Sequence, residues 1–434
     1  MGRSSLLKLS TALAIPLPAL CLRFAGIELP PTWAALVYGA AVVGAAVVLA
    51  WSAEVAQLDI SGSLAIAILA LIAVLPEYAV DLYFAYTAGH EPEYAQYAAA
   101  NMTGSNRLLI GLGWPLLVVA AGLGLRKVKR RLREAGTADS APPVPVAVRR
   151  DPAITLKPKR RIEFFFLGVA SVYAFVIPVT GRIDLVSSAI LLVLYAVYLW
   201  RVAREERSEP HLIGVCADLG AQPCGRRRAI VIGMTVAAAA FVLAAAEPFA
   251  NALVQTGAQL GIDEFLLVQW LAPLVSESPE LIVAFLLAYR LKGDDAMGTL
   301  LSSKVNQWTL LVGTLPLAYW VGGGGTGGLL LDGRQNEEFL LTAAQAVLGL
   351  AVLVNLRFGG WKAGALFGLF VLQFPFPQGS VRTGFSIAYG VLAVMLLVLH
   401  RRSLWPIVTY VFSRKGVVDQ DGRPDPHPAE GFGD

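Results

Sequence analysis

The residues best placed for chemistry are Ser276-Glu277-Ser278-Pro279-Glu280, two carboxylates three residues apart around a proline, inside an apolar run from Phe265 to Tyr289. A charged side chain at membrane depth costs about 2.5–3.5 kcal/mol on insertion scales, so two of them require partners, water or a bound cation. A second such place, Leu75-Pro76-Glu77 followed by Asp81, interrupts the apolar run from Ile60 to Ala88. Two proline-broken, acid-bearing membrane segments at corresponding points of two halves point to a transporter's ion site near the bilayer midplane.

The elements that carry these residues follow from hydropathy. With 434 residues, 56% of them hydrophobic and 15% charged, and a mean hydropathy of +0.62, the chain has too much apolar surface for a water-soluble globule. Windows long enough to cross a ~30 Å core fall near 9–29, 33–52, 60–88, 95–125, 162–180, 184–201, 229–257, 262–290, 296–321, 336–357, 361–375 and 383–402. The expected fold is an all-α polytopic membrane protein with about twelve transmembrane helices, several tilted or broken at Pro76, Pro115, Pro248, Pro279 and Pro316.

Twelve crossings place alternate loops on opposite faces. One face, shared by loops 126–161, 202–228, 290–295 and 358–362 and both termini, collects Arg126, Lys127, Arg130, Arg149, Lys157, Arg160, Arg226, Arg227, Arg290, Lys362 and others, whereas the opposite face shows little beyond Arg182, Arg334 and Arg382. By the positive-inside rule both termini are cytoplasmic, and the Ala-, Gly- and Arg-rich usage suits a bacterial plasma membrane. The Pro-rich basic loop 126–161 reads as a solvated topology anchor, or as a segment lying against anionic lipid headgroups. Segments 60–88 and 262–290 then run in opposite directions. The halves share wording: Leu58-Asp59-Ile60 with Leu260-Gly261-Ile262, Pro76-Glu77 with Pro279-Glu280, Gly104-Ser105-Asn106 with Ser302-Ser303-Lys304, and Leu108 to Gly111 with Leu310 to Gly313. This divides the chain into an extra N-terminal helix (1–32), a first half (33–201, signature about 60–124), a linker (202–228), an inverted second half (229–375, signature about 262–320) and an extra C-terminal helix with tail (376–434).

At these residues the chain resembles the calcium/cation antiporter superfamily, which includes the sodium/calcium exchangers and carries in each repeat a pattern near G-T-S-L-P-E and then G-N-x-x-G-S-N. Leu75-Pro76-Glu77 and Asn101-Met102-Thr103-Gly104-Ser105-Asn106 keep the first copy, and Pro279-Glu280 with the small-residue run Gly298 to Ser303 keep the second. The resemblance implies two inverted five-helix repeats, Glu77 and Glu280 as paired cation-ligating carboxylates, and an amide oxygen from Asn101. The departures are Ala73-Val74 in place of Thr-Ser, Ser276-Glu277 at the matching points, Thr299 where an acid is common and Lys304 where Asn is expected. Missing hydroxyls and an added ammonium speak against the usual sodium sites.

A hard divalent cation such as calcium takes six to eight oxygens, several of them anionic. Glu77, Glu277 and Glu280 offer carboxylates, while Asn101, Ser105, Ser276, Ser303 and Thr299 offer neutral oxygens. Asp81, one turn beyond Glu77, is either a second ligand or proton carrier, or a carboxylate paired near the outer end. Lys304 either pairs with Glu280 or Glu277 in place of a coupling ion or snorkels to the interface. Arg107 has a structural or charge-balancing part, and Glu54 and Glu247 are interfacial.

The expected partners are inorganic cations and the lipid bilayer, not nucleic acid, since the net charge of +4 sits in interhelical clusters. The transported ion, calcium or a related divalent cation against protons or sodium, takes the place of any cofactor. A degenerate exchanger that binds or regulates without transporting is the second reading. An enzyme is not expected: no His lies in a membrane interior, Gly322–Gly328 is a linker without a Lys-Ser/Thr after it, and His211, Cys216 and Cys224 are irregularly spaced loop residues.

Overall fold

The computed structural model describes residues 2–59, 75–134, 153–204, 212, 214–374 and 378–412. The stretch 60–74, with Ala73 and Val74, lies outside the described residues, as do most of the basic loop (135–152), His211 and the tail from 413. The described chain is almost wholly helical. Eight helices are long and apolar enough to cross a membrane, or nine if the bent pair Glu264–Ser276 and Ser278–Tyr289 is one span. Three further windows hold Leu75–Ala88, the run Gly293–Tyr319 with its charged residues, and the shorter apolar helix Gly360–Leu372.

The bend has a local cause. Pro279 has no N–H to give to the carbonyl four residues back, and the Ser278 hydroxyl takes that carbonyl, Val275 O, at 2.8 Å. The chain turns by 54° at Glu277, which therefore sits at a helix junction with its side chain directed inward. Pro273 does the same one turn earlier, leaving the Gln269 carbonyl without its helical donor. Gly104 fits against that carbonyl so closely that any Cβ would overlap it.

Packing crosses between the halves. Glu264–Ser276 lies along Ala95–Leu108, Ser278–Tyr289 along Trp114–Glu134, and Leu75–Ala88 along Val312–Tyr319, while the 37-residue helix Cys224–Leu260 runs beside Pro31–Ala56. Two short strand pairs tie loops together. Ile154–Thr155 pairs antiparallel with Arg357–Phe358, and Arg182–Ile183 with Leu329–Leu330. Each strand of the first half recurs 175 residues later, 154 at 329 and 182 at 357, and each pair joins loops that the charge pattern puts on one face. Wide π-helical turns occur at matching points of the two halves, Leu109–Gly113 and Gln307–Leu311, and a further one follows at Trp320–Gly324. The 198-residue offset of the matching pair also relates Asn101 to Thr299, Ser105 to Ser303 and Asn106 to Lys304. At the basic face, Arg227 and Arg228 close on Asp59 at 2.6 and 3.2 Å, and the Arg227 guanidinium holds that carboxyl well below the usual range.

The Gly104 contact generates a test. Gly104→Ala must push two helices apart and should lower stability by about 1–3 kcal/mol, seen as a reduced thermal midpoint in detergent. Gly233→Ala, with nothing within 4 Å of its would-be Cβ, should leave the midpoint unchanged.

Candidate functional site

The bent pair Glu264–Ser276 and Ser278–Tyr289, the helix Leu75–Ala88 and the two helices that run into matching wide turns bring many polar side chains into the interior. Glu77, Asp81, Asn101, Ser105, Ser276, Glu277, Ser303, Lys304 and Gln307 are all buried, and Glu280 is partly so. Their centre is Gln307, the first residue of the second wide turn. Its amide Nε2 donates to Glu77 Oε1 at 3.0 Å and to Glu277 Oε1 at 2.6 Å, so a single neutral donor bridges carboxylates from opposite halves. Glu280 accepts from the Ser303 hydroxyl at 2.6 Å, and Ser105 faces both Glu77 and Glu277. Asp81 faces Asn101.

Many oxygens here are unused. Both oxygens of Asp81, Asn101 Oδ1, Ser105 Oγ, Glu277 Oε2 and Gln307 Oε1 are buried without a hydrogen-bond partner. Buried polar atoms are overwhelmingly paired in folded proteins, so a concentration of orphan oxygens marks a place meant for something that attracts them, a cation, protons or water. The Ser276 hydroxyl donates to its own helix at Ala272 O and keeps its lone pairs. No three of His, Cys, Asp and Glu among the described residues stand close enough to hold a metal unaided, so any ion here must also draw on these amide, hydroxyl and water oxygens.

Three expectations need correction. Lys304 neither snorkels nor hydrogen-bonds to a glutamate: it is fully buried and its ammonium donates to the backbone oxygen of Asn106 and, at 2.7 Å, to Asn106 Oδ1. These two residues are counterparts in the two halves, and they meet where the wide-turn helices cross; the Lys304 charge still faces Glu277 and Glu77. Thr299 does not join the carboxylates. The residue is partly exposed, its hydroxyl donates to the Asp295 carbonyl of its own helix at 3.1 Å, and the neighbouring Gly298 is covered by the Arg160 guanidinium, itself held by Glu163 at 3.2 Å and Asp294 at 3.1 Å. Asp81 is not a paired surface carboxylate but fully buried. Arg107 keeps its charge-balancing part: it pairs with Glu338 at 2.8 Å, away from Glu77 and Glu280. Glu247 pairs at the surface with Arg23, and Cys216 and Cys224 are free thiols in no metal group.

Sequence reasoning missed Gln307 and Glu338. Gln307 lies three residues after Lys304 on a run already marked as the second signature, and an amide one turn from a buried cation was the available signal.

Acid-bearing helices from the two halves, one of them bent at Glu277, pack across one another and enclose unpaired oxygens in a membrane interior, the arrangement of a cation transporter. The sodium/calcium exchanger protein profile matches residues 31–203 and 230–376, and the chain belongs to that family, whose members are exchangers rather than enzymes. The crystal structure of the H+/Ca2+ exchanger CAX is similar at 38% identity, covering 94% of this chain and 98% of that one with a TM-score of 0.84. Native YfkE shares the fold at 14% identity, 89% and 100% coverage and a TM-score of 0.57. The sodium-calcium exchanger NCX_Mj, soaked with 2.5 mM Na+ and 1 mM Sr2+, does so at 16% identity, 80% and 99% coverage and a TM-score of 0.50. No curated protein matches.

If Gln307 bridges Glu77 and Glu277, Gln307→Leu leaves two facing carboxylates without their shared donor and removes an amide oxygen. Thermal stabilisation by an added divalent cation should weaken by about tenfold or more in midpoint concentration, since a bond to a charged group contributes about 1.5–3 kcal/mol. Asn355→Leu, remote from the cluster, should leave that midpoint where it was.

Proposed function

We propose that this protein is a secondary active antiporter that exchanges calcium or a related divalent cation for protons across a bacterial plasma membrane, with both termini in the cytoplasm and the halves 33–201 and 229–375 inverted. The observation that supports it is charge accounting among buried side chains. Glu77, Glu277, Glu280 and Asp81 bring up to four negative charges together, and the one ammonium facing them is that of Lys304. Two like charges about 4 Å apart cost about 4 kcal/mol at an effective dielectric near 20. Such a site is comfortable with a divalent cation in it or with protons on it, and uncomfortable with neither.

Glu77 and Glu280 serve as the principal ligands, one from each half. Glu277 and Asp81 are further anionic positions, and Asn101, Ser105, Ser276, Ser303 and the Gln307 carbonyl oxygen complete a flexible oxygen shell. Lys304 contributes a fixed positive charge where the second half has no Asn, so the site is already partly neutralised and sodium ions are not needed for balance. The 38% identical H+/Ca2+ exchanger CAX supports protons as the counter-ion. Alternate exposure of the same buried shell to the two faces, driven by the proton gradient, then moves the cation.

Proteoliposomes with an imposed proton gradient should accumulate calcium, compete with manganese more than with magnesium or sodium, and do so faster when the opposing side is more acidic. Glu77→Gln and Glu280→Gln should each reduce uptake to background. Uptake that survives both substitutions, or that follows a sodium gradient alone, overturns the proposal. Cation binding without flux would instead favour the non-transporting reading. Lys304→Asn should admit a sodium dependence that the wild-type protein lacks, and uptake that still ignores sodium rules out the lysine's coupling role.

A further inference from the structure

A second buried charge cluster stands beside the ion site and takes no part in it. Arg107 follows Ser105 by two residues and adjoins Asn106, yet its guanidinium turns outward from the site. Nη1 is 2.8 Å from Glu338 Oε2 and 3.3 Å from Gln373 Oε1, and the group lies 4.7 Å over the Trp270 ring. The Arg107 and Glu338 side chains are each only 3% exposed. Glu338 also accepts from Gln269 Nε2 at 3.1 Å, and its other oxygen is 3.6 Å from Arg382, which pairs with Glu337 at 2.9 Å. Two cations and two anions balance one another here. Arg382 comes from Gly379–Leu399, a helix beyond the family match that ends at residue 376.

The arrangement is one-sided. At the 175-residue offset of the paired strands, the counterpart of Glu338 is Glu163, likewise buried, but Glu163 is satisfied within its own turn by Arg160. At the 198-residue offset of the wide turns, the counterpart of Arg107 is Val305, which carries no charge. A buried glutamate in this place is thus common to both halves, whereas a grip on an arginine of a site-bearing helix belongs to the second-half glutamate, Glu338. The ridge that presents Asn101 and Ser105 carries an arginine whose charge, left alone, would act through a medium of low dielectric on any cation at the site.

We propose that Glu338 is a positioning residue that holds the charge of Arg107 away from the ion site, so that the carboxylates there answer to the transported cation and to Lys304 rather than to a second fixed guanidinium. Through Gln269 the same carboxylate also fixes the helix leading to Glu277 and Glu280, and Arg382 on the appended helix stands 3.6 Å from its other oxygen. The inference rests on the ion-site reading above and adds to it the reason an arginine is tolerated two residues from a ligand position.

Calcium uptake in proteoliposomes, with apparent KM and maximal rate measured separately and normalised to folded protein, tests it. Glu338→Gln keeps the shape but uncovers Arg107, and should raise KM about tenfold. Glu338→Asp, which keeps the charge, should stay within about threefold of wild type, and Arg107→Gln combined with Glu338→Gln should return KM to the same range, because the uncancelled charge is gone. A double variant as impaired in KM as Glu338→Gln alone, or a Glu338→Gln variant altered only in maximal rate, overturns the proposal. Should Glu338→Gln not fold, Arg107→Gln alone decides: an unchanged or lowered KM is expected, and a raised one is contrary. Glu77→Gln run alongside separates the two claims, since calcium uptake with wild-type KM in that variant refutes the ion site itself whatever Glu338 does.

Discussion

A carboxylate inside a membrane protein must be neutralised by something, and the rest of this molecule is arranged around that requirement. Where the neutraliser is fixed, as for Glu338 with Arg107 and Arg382 or Glu163 with Arg160, a guanidinium stands 2.8–3.6 Å from the acid and its part is structural. Around Glu77 and Glu277 the bridging donor is the neutral amide of Gln307, and among the described residues no ion pair closes on either acid. The same side-chain chemistry thus serves two purposes, and the partner list tells them apart.

The backbone makes the open acids possible. Pro273 and Pro279 remove two helical hydrogen bonds from one span, turn the chain by 54° and set Glu277 at the junction. The wide turns at Leu109–Gly113 and Gln307–Leu311 shift the register of the two crossing helices just after the residues that line the site, and place Gln307 between carboxylates that arise from different halves. A wide turn inside a helix recurs at functional positions because it re-aims the side chains beyond it without ending the helix.

The membrane class and the broken, acid-bearing segment 264–289 could be read from the chain because each leaves a one-dimensional trace: an apolar run, a proline beside a glutamate. Glu77 and Glu280 stood out as acids in apolar runs for that reason, and Asn101 through the family resemblance. Lys304 stayed open between a glutamate partner and the interface, since the crossing that brings Asn106 to it is a tertiary fact with no local signal. Glu338 reads as an interfacial acid because it lies only five residues after Gly333, and only the packed Arg107 shows that it is interior. Thr299 failed through symmetry: its position repeats that of Asn101, but the second half carries Ala284 where the first carries Asp81, so the facing acid is gone. Repeats preserve backbone geometry more faithfully than they preserve chemistry.

One contact has a mechanical consequence. Where Gly104 meets the Gln269 carbonyl, two helices of opposite halves touch backbone to backbone with no side chain between them. Elements so joined cannot slide apart without opening a void or draw nearer without collision, which leaves rotation as the available relative movement. That crossing has the properties of a hinge pin, about which any relative turn of the two helices would pivot.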